Sequence, residues 1–269
     1  MGFLGSQFDL GAFPRTIRPA VNGLVDLSRS QFIDPYGLVG IACGVAALAQ
    51  EGTVDLRLPQ DDNVRNYLAR MNFQVIAGLP NVRADGVLPR VLRQDHSDSL
   101  LALQRFDDTF GAEAVANLIY TRLRQQVSGD LLEQLHESVG ELGNNVEEHA
   151  ASPAGGFMAA QTYRRNQQEE YLIVAVGDAG IGLRASLERR HPRSTDSEAI
   201  ELAIQKDVTG TDQVGRGQGL YYFTDFARSF GWASIQSGTA RRIVGRREYV
   251  ENFNHFQGTL IGMRLRCNS

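Results

Sequence analysis

Six consecutive apolar residues, Tyr171-Leu172-Ile173-Val174-Ala175-Val176, run straight into Gly177-Asp178-Ala179-Gly180-Ile181-Gly182. A short apolar run with β-branched residues, closed by glycines, predicts a buried strand. That strand ends in an acid. A carboxylate at such a place needs a hydrogen-bond donor beside it, because burying it unpaired is costly. The glycines that follow let the backbone pass close to another group.

The rest of the chain can supply the core such a strand needs. Of 269 residues, 42% are hydrophobic and 22% charged, near the average of soluble globular proteins, which argues against a disordered chain. No run of about 18 apolar residues occurs, so no membrane span is expected. The N-terminus MGFLGSQFDLGAFPR lacks the basic and apolar regions of a secretory signal. The formal net charge of −4 argues against a general nucleic-acid-binding surface. Cys43 and Cys267 lie far apart without metal-ligand spacing and read as free thiols of a reducing cytoplasm. Lys206 is the only lysine, which removes any mechanism that needs a catalytic lysine elsewhere.

Up to about residue 95, short apolar strands alternate with helices, the pattern of a small α/β layer. Strands are expected over residues 21–27 and 53–58, a turn at 32–37, and helices over 38–49 and 62–71. Asp61 or Asp62 is placed to cap the second helix, with Val64, Leu68 and Met71 on one face. Residues 78–98 read as a linker or as an extended strand pair crossing between domains. From about Ser99 the pattern turns helical, with helices over 110–127 and 131–149. A strand at 156–164, a polar turn at 165–170 and the buried strand follow. After them come a helix over 196–205 with a capping box from Thr195 to Glu198, a helix over 219–230, and strands near 233–237, 242–244 and 258–265. This order divides the chain into two domains, residues 1–95 and 96–269.

On the helix 131–149, Glu141 and Asn145 stand one turn apart on one face, beside the apolar stripe. An amide oxygen there can coordinate Mg²⁺, and a carboxylate one turn earlier can orient or deprotonate a nucleophile aimed at a γ-phosphate. Taken alone, the pair is an ordinary solvated face. An adenine amino group is a donor of the kind Asp178 needs, and Gly180 and Gly182 leave room for a flat ring. Gly215-Arg216-Gly217-Gln218-Gly219 runs into the helix that ends at Phe230, where free backbone N–H groups face an anion. It follows no predicted strand, so a dinucleotide-binding reading fails. Gly258-Thr259 opens the last strand, and the Thr259 hydroxyl can support Asp178 directly or through a water.

In this order the four segments resemble the N, G1, G2 and G3 boxes of the GHKL ATPases (gyrase, chaperone, histidine kinase, mismatch repair), over about residues 105–267. Equal steps separate Asn145 from Asp178 and Gly182 from Gly215. The resemblance implies an α/β sandwich of the Bergerat ATP-binding type, with ATP and Mg²⁺ as cofactors. It implies Asn145 as Mg²⁺ ligand and Glu141 as general base or water-orienting group. Asp178 would bind the adenine amine with Gly180 and Gly182 beside the base. Gly215, Gly217 and Gly219 would form the phosphate lid and Thr259 the adenine support. Asn145 is preferred to the adjacent Asn144 because it lies one turn from Glu141. His149 reads as structural. Glu148 stands where many histidine kinases carry Lys or Arg, which leaves the phosphate charge to Mg²⁺, the lid N–H groups and Arg216. His136 lies on the N-box helix itself and cannot act as the phospho-accepting histidine of a separate hairpin. The chain ends just after the G3 strand, as stand-alone anti-sigma-factor serine kinases do.

In the first half, the stretch from Val25 to Leu38, with Phe32-Ile33-Asp34-Pro35-Tyr36-Gly37-Leu38 at its end, resembles the STAS (anti-sigma-factor antagonist) pattern of strand, F-I-D-x-x-G-L and helix. Pro35 stands where typical members place a phosphorylatable serine; Tyr36 or Ser28 could substitute, but nothing in the sequence argues for it. Residues 1–95 are therefore expected to form a small STAS-like α/β module that docks on the ATPase or a partner, or else an α/β extension burying ATPase surface. Two functions follow. One is a serine/threonine kinase in which Glu141 activates a hydroxyl of a partner protein for in-line attack. The other is an ATP-dependent conformational switch whose lid, about residues 205–219, closes on binding and controls a protein contact. Both expect a cytoplasmic protein with a protein partner, and either is compatible with a homodimer.

Overall fold

In the computed structural model, the apolar run becomes the central strand of a five-stranded antiparallel sheet. The structure describes residues 2–3, 7–13, 17–18, 23–91, 100–106, 152–164, 169–206, 208 and 219–266, with isolated positions between 117 and 140. The elements of the first part are β1 (Gly2–Phe3), β2 (Gln7–Phe8), β3 (Ile17–Arg18), β4 (Leu24–Asp26), β5 (Phe32–Ile33), α1 (Pro35–Glu51) and β6 (Val54–Arg57). Next come α2 (Asp62–Arg70), α3 (Gln74–Ala77), β7 (Val82–Ala84) and β8 (Leu100–Phe106). The remainder is β9 (Gly156–Arg164), β10 (Glu170–Asp178), α4 (Gly182–Leu187), α5 (Asp196–Ala203), α6 (Gly219–Phe230), β11 (Gly231–Gly245) and β12 (Tyr249–Arg266). The fold is mixed α/β. No helix among the described residues is long and apolar enough to cross a membrane.

The large sheet runs β11–β12–β10–β9–β8, and its strands alternate side chains between two apolar layers. On one face Met158, Leu172, Val174, Val176 and Met263 pack with Leu187, Ile200, Leu220 and Phe223 of α4, α5 and α6. On the other, Phe157, Ala159, Ala175 and Leu260 share a core with α1. That helix is apolar around its circumference, the mark of a helix enclosed on all sides, and residues 35–46, 48 and 49 are all buried. Behind it lies a small parallel sheet, β4–β6–β7, whose Val25, Val54 and Leu56 belong to the same core.

Helix and sheet approach closely because glycines of the sheet leave room for side chains of the helix. A Cβ on Gly262 of β12 would stand 2.2 Å from Tyr36 Cδ2. We expect Gly262→Ala to destabilise the fold by about 1–3 kcal/mol through overpacking, read from thermal unfolding.

Asp34 starts α1 as its N-cap, accepting the Gly37 N–H and the Leu10 N–H, each at 2.9 Å. A Cβ on Gly37 would stand 1.9 Å from the Phe8 carbonyl oxygen. Four places of the F-I-D-x-x-G-L pattern thus have a structural reason: Ile33 and Leu38 enter the core, Asp34 caps, and Gly37 lets β2 pass, while Phe32 is exposed. Burial pushes the Asp34 carboxyl up to about 7, against the pull of the Gly37 and Leu10 N–H groups. A carboxyl with a higher pKa folded than unfolded holds its proton on folding. Its favourable contribution is complete below the ordinary value of 3.8 and is lost as the pH rises to about 7. Denaturant midpoints across that window should therefore fall for the wild type, and fall less for Asp34→Asn. Tyr36, the hydroxyl next to Pro35, is fully buried. Its oxygen lies 3.1 Å from Ser234 Oγ and donates to Gln236 Oε1 at 3.4 Å, and burial pushes the phenol up to about 12.

Several elements match their sequence reading closely. Asp61 caps α2, Thr195 and Glu198 form the capping box of α5, and α6 spans 219–230. Residues 100–106 differ: in place of the start of a helical region they form β8, at the edge of the large sheet. Leu101 and Leu103 carry the two-residue alternation of a strand, but a register shift between Leu101 and Gln104 interrupts it. The three short strands expected after 230 are two long ones, β11 and β12, with irregular register around Gly238. Residues 82–84, within the stretch read as linker or strand pair, form β7 and pair parallel with β6. The helices expected over 110–127 and 131–149 lie outside the described residues, apart from isolated positions.

Candidate functional site

The end of β10 is a place where three strands part. Its pairing with β9 extends to Asp178, opposite Gly156, while its pairing with β12 stops one residue earlier, at Gly177 opposite Leu260. Just before Leu260 the chain of β12 bends through Gly258, whose φ of +89° suits glycine. A Cβ there would stand 2.2 Å from the Asp178 carbonyl oxygen and 2.8 Å from its Oδ1. The bend therefore lies directly against the acid.

Asp178 follows Leu172, Val174 and Val176 on the sheet face beneath α4, α5 and α6. Its side chain is buried. Oδ1 accepts the Gly180 N–H at 2.8 Å, and the Thr259 backbone N–H donates to the same carboxylate. Burial pushes the pKa up to about 6, and these two N–H groups counter it only in part. Two carboxylate oxygens offer about four acceptor positions. After these two bonds, Asp178 retains capacity for a further donor.

The turn after Asp178 is fastened to the neighbouring strands. Gly182 has φ +78°, and a Cβ on it would stand 2.9 Å from Ser237 Oγ. Ser237 Oγ accepts the Leu183 N–H at 2.9 Å and donates to the Gly258 carbonyl at 3.0 Å. The Gln257 side-chain amide donates to the Gly180 carbonyl. Between these anchored glycines Ile181 is 48% exposed, an apolar side chain at the mouth of the turn. At the rim, Asp196 accepts the N–H and the hydroxyl of Thr239, each at 2.8 Å, and pairs with Arg184 at 3.4 Å.

Four residues singled out from the sequence, Asp178, Gly180, Gly182 and Thr259, thus come together at one end of the sheet. The group of Thr259 that reaches the acid is its backbone N–H. Gly219 is buried at the first residue of α6. Glu141, Asn145, Gly215 and Gly217 lie outside the described residues, as do Asn144, Glu148, His149 and Arg216. His136 is described: its Nε2 lies 2.8 Å from Asn117 Oδ1, and its ring meets Tyr120 edge-on. Among the described residues no group of His, Cys, Asp and Glu could hold a metal ion. Ser237 and Gln257 hold the turn and carry no sequence signal of it, since both come from strands remote in the chain.

No protein-family model matches this chain, and no curated protein matches it. Among solved structures it is similar to a mycobacterial sensor histidine kinase, MprB, at 17% identity with a TM-score of 0.29, over 59% of this chain and 95% of that one.

Proposed function

We propose that this chain is an ATP·Mg²⁺-binding regulatory protein of the GHKL type, with a Bergerat-type site in its second half, acting as a serine/threonine kinase on a partner protein. The observation that carries the reading is Asp178. It is a buried carboxylate, held by two backbone N–H groups, with acceptor capacity left over beside a glycine turn. The 6-amino group of adenine would supply a further donor to Asp178, and Gly180 would bring backbone without a side chain beside the base, while Gly182 lets the turn pack on Ser237. In this reading Asn145 would hold Mg²⁺, which would neutralise phosphate charge. Gly215, Gly217 and Gly219 would supply N–H groups to the phosphates, and Glu141 would take the proton of the attacking hydroxyl. The first half would serve as a STAS-like docking module.

Calorimetric titration of the full chain with Mg·ATP tests the site, and a flat titration at neutral pH would remove it. Because the adenine amine needs an ionised acceptor, affinity should rise as the pH climbs through about 6, where Asp178 gives up its proton. Glu141→Ala is expected to bind Mg·ATP as the wild type does and to lose turnover about a hundredfold or more, as for a general base. Loss of binding in that variant would make Glu141 structural. Incubation with labelled ATP and candidate partners reads the outcome: label on protein supports the kinase, and free phosphate or retained nucleotide supports the conformational switch.

A further inference from the structure

The reverse side of β10 is occupied by α1, and the contact falls at the residue before the acid. A Cβ on Gly177 would stand 3.0 Å from Cys43 Sγ, 3.1 Å from Leu260 Cδ1 and 3.1 Å from the Thr259 carbonyl oxygen. Cys43 is fully buried near the middle of α1, and burial together with the Asp178 charge raises its thiol well above the ordinary range. Ala179, on the other side of Asp178, belongs to the same core as α1. A Cβ on Gly40 of α1 would meet Phe13 Cζ at 2.4 Å and Leu260 Cδ2 at 3.0 Å, and Tyr36 faces Gly262, so the helix also bears on the strand that supplies Thr259. The residue before Asp178, and the strand that bonds it, therefore rest on one helix from the first half of the chain.

We infer that α1 is the rear support of the adenine site, with Cys43 a positioning residue that sets the placement of Asp178 through Gly177. This rests on the nucleotide reading above. Cores packed at crystal-like density transmit small displacements instead of absorbing them, so a change in side-chain volume at Cys43 reaches the carboxylate. The property most sensitive to that displacement is base selection. ATP presents an amino donor where GTP presents a carbonyl oxygen, and a site built around one hydrogen bond discriminates through its geometry. Phosphate contacts are common to both nucleotides and cancel in the ratio.

The test measures the ATP-over-GTP affinity ratio of the full chain by calorimetry in four proteins: wild type, Cys43→Ala, Gly177→Ala and the double variant. Gly177→Ala is expected to lower the ratio about tenfold, and Cys43→Ala in the same chain to restore part of it, because one of three close contacts is then removed. Cys43→Ala alone, which only removes volume, should keep the melting temperature within a few degrees and lower the ratio about threefold. An unchanged ratio in folded Cys43→Ala overturns the inference even if Gly177→Ala fails to fold. Equal loss in the double variant and in Gly177→Ala overturns it as well. A wild-type chain that binds neither nucleotide overturns the nucleotide reading itself, which separates the two failures.

Discussion

Arg241→Ala is expected to lower folding stability by about 3–5 kcal/mol, a large share of what a domain of this kind possesses. The side chain is 2% exposed and is the largest fully buried one among the described residues. Its Nε donates to Ser234 Oγ at 2.7 Å, its Nη2 to the Leu10 carbonyl, and its Nη1 to the Gly11 carbonyl at 3.3 Å and to Glu251 at 3.4 Å. Alanine would leave two backbone carbonyls and a hydroxyl without their donors and open a cavity beside Tyr36, which meets the same Ser234. Arg241→Met separates the two causes. It refills volume and supplies no donors, so its midpoint in chemical denaturation should stay closer to that of alanine than to that of the wild type. Recovery to within about 1 kcal/mol of wild type would mean that packing, not hydrogen bonding, holds residues 10–11 to β11.

Asp178→Asn should keep the fold and lose Mg·ATP affinity by about tenfold to a hundredfold, the worth of a hydrogen bond to a charged group. The amide oxygen can still accept the Gly180 N–H, which the wild-type Oδ1 receives at 2.8 Å. The amide nitrogen then points hydrogens at donors, the Thr259 N–H and the adenine amine, where a carboxylate would accept. Stability should respond in the opposite sense to affinity. The pKa of Asp178 rises from 3.8 unfolded to about 6 folded, so its favourable contribution is lost as the pH rises across that interval. Asparagine has no charge to bury and lacks that loss. Calorimetry and thermal unfolding between pH 4 and 8 read both effects, and undiminished affinity in the variant would end the adenine role of Asp178.

The part of the site that was legible in the sequence is the part that is contiguous. An apolar run closed by an acid and alternating glycines states a buried strand, its end and its turn within a dozen residues, and Asp178, Gly180 and Gly182 stand where that pattern places them. Gly258-Thr259 reads in the sequence as a strand opening, whereas β12 already begins at Tyr249 and bends at Gly258. Its approach to Asp178 was not legible, because it depends on the register of β12 against β10. Ser237 and Gln257 were invisible for the same reason: a serine in a strand and a glutamine in a hairpin have no local marker for bonding a turn more than fifty residues away. β8 was misread because its alternation is brief and broken by a register shift, so the two-residue period had too few repeats to stand out.

By itself, the sequence determined the pieces whose causes are local. A cap at Asp61 or Asp62, the Thr195–Glu198 box, the span of α6 and a buried strand over 171–176 all follow from hydrogen bonds and periodicities within a few residues, and the structure puts the cap on Asp61. Only the tertiary structure decided what α1 is for. Read alone, its glycines, alanines and cysteine describe a helix that must be buried somewhere. The structure places it against the back of the large sheet, with Gly177 on Cys43 and Gly262 on Tyr36. Close packing of side chains against glycines is set by which surfaces meet, and no spacing within a single helix encodes its partner.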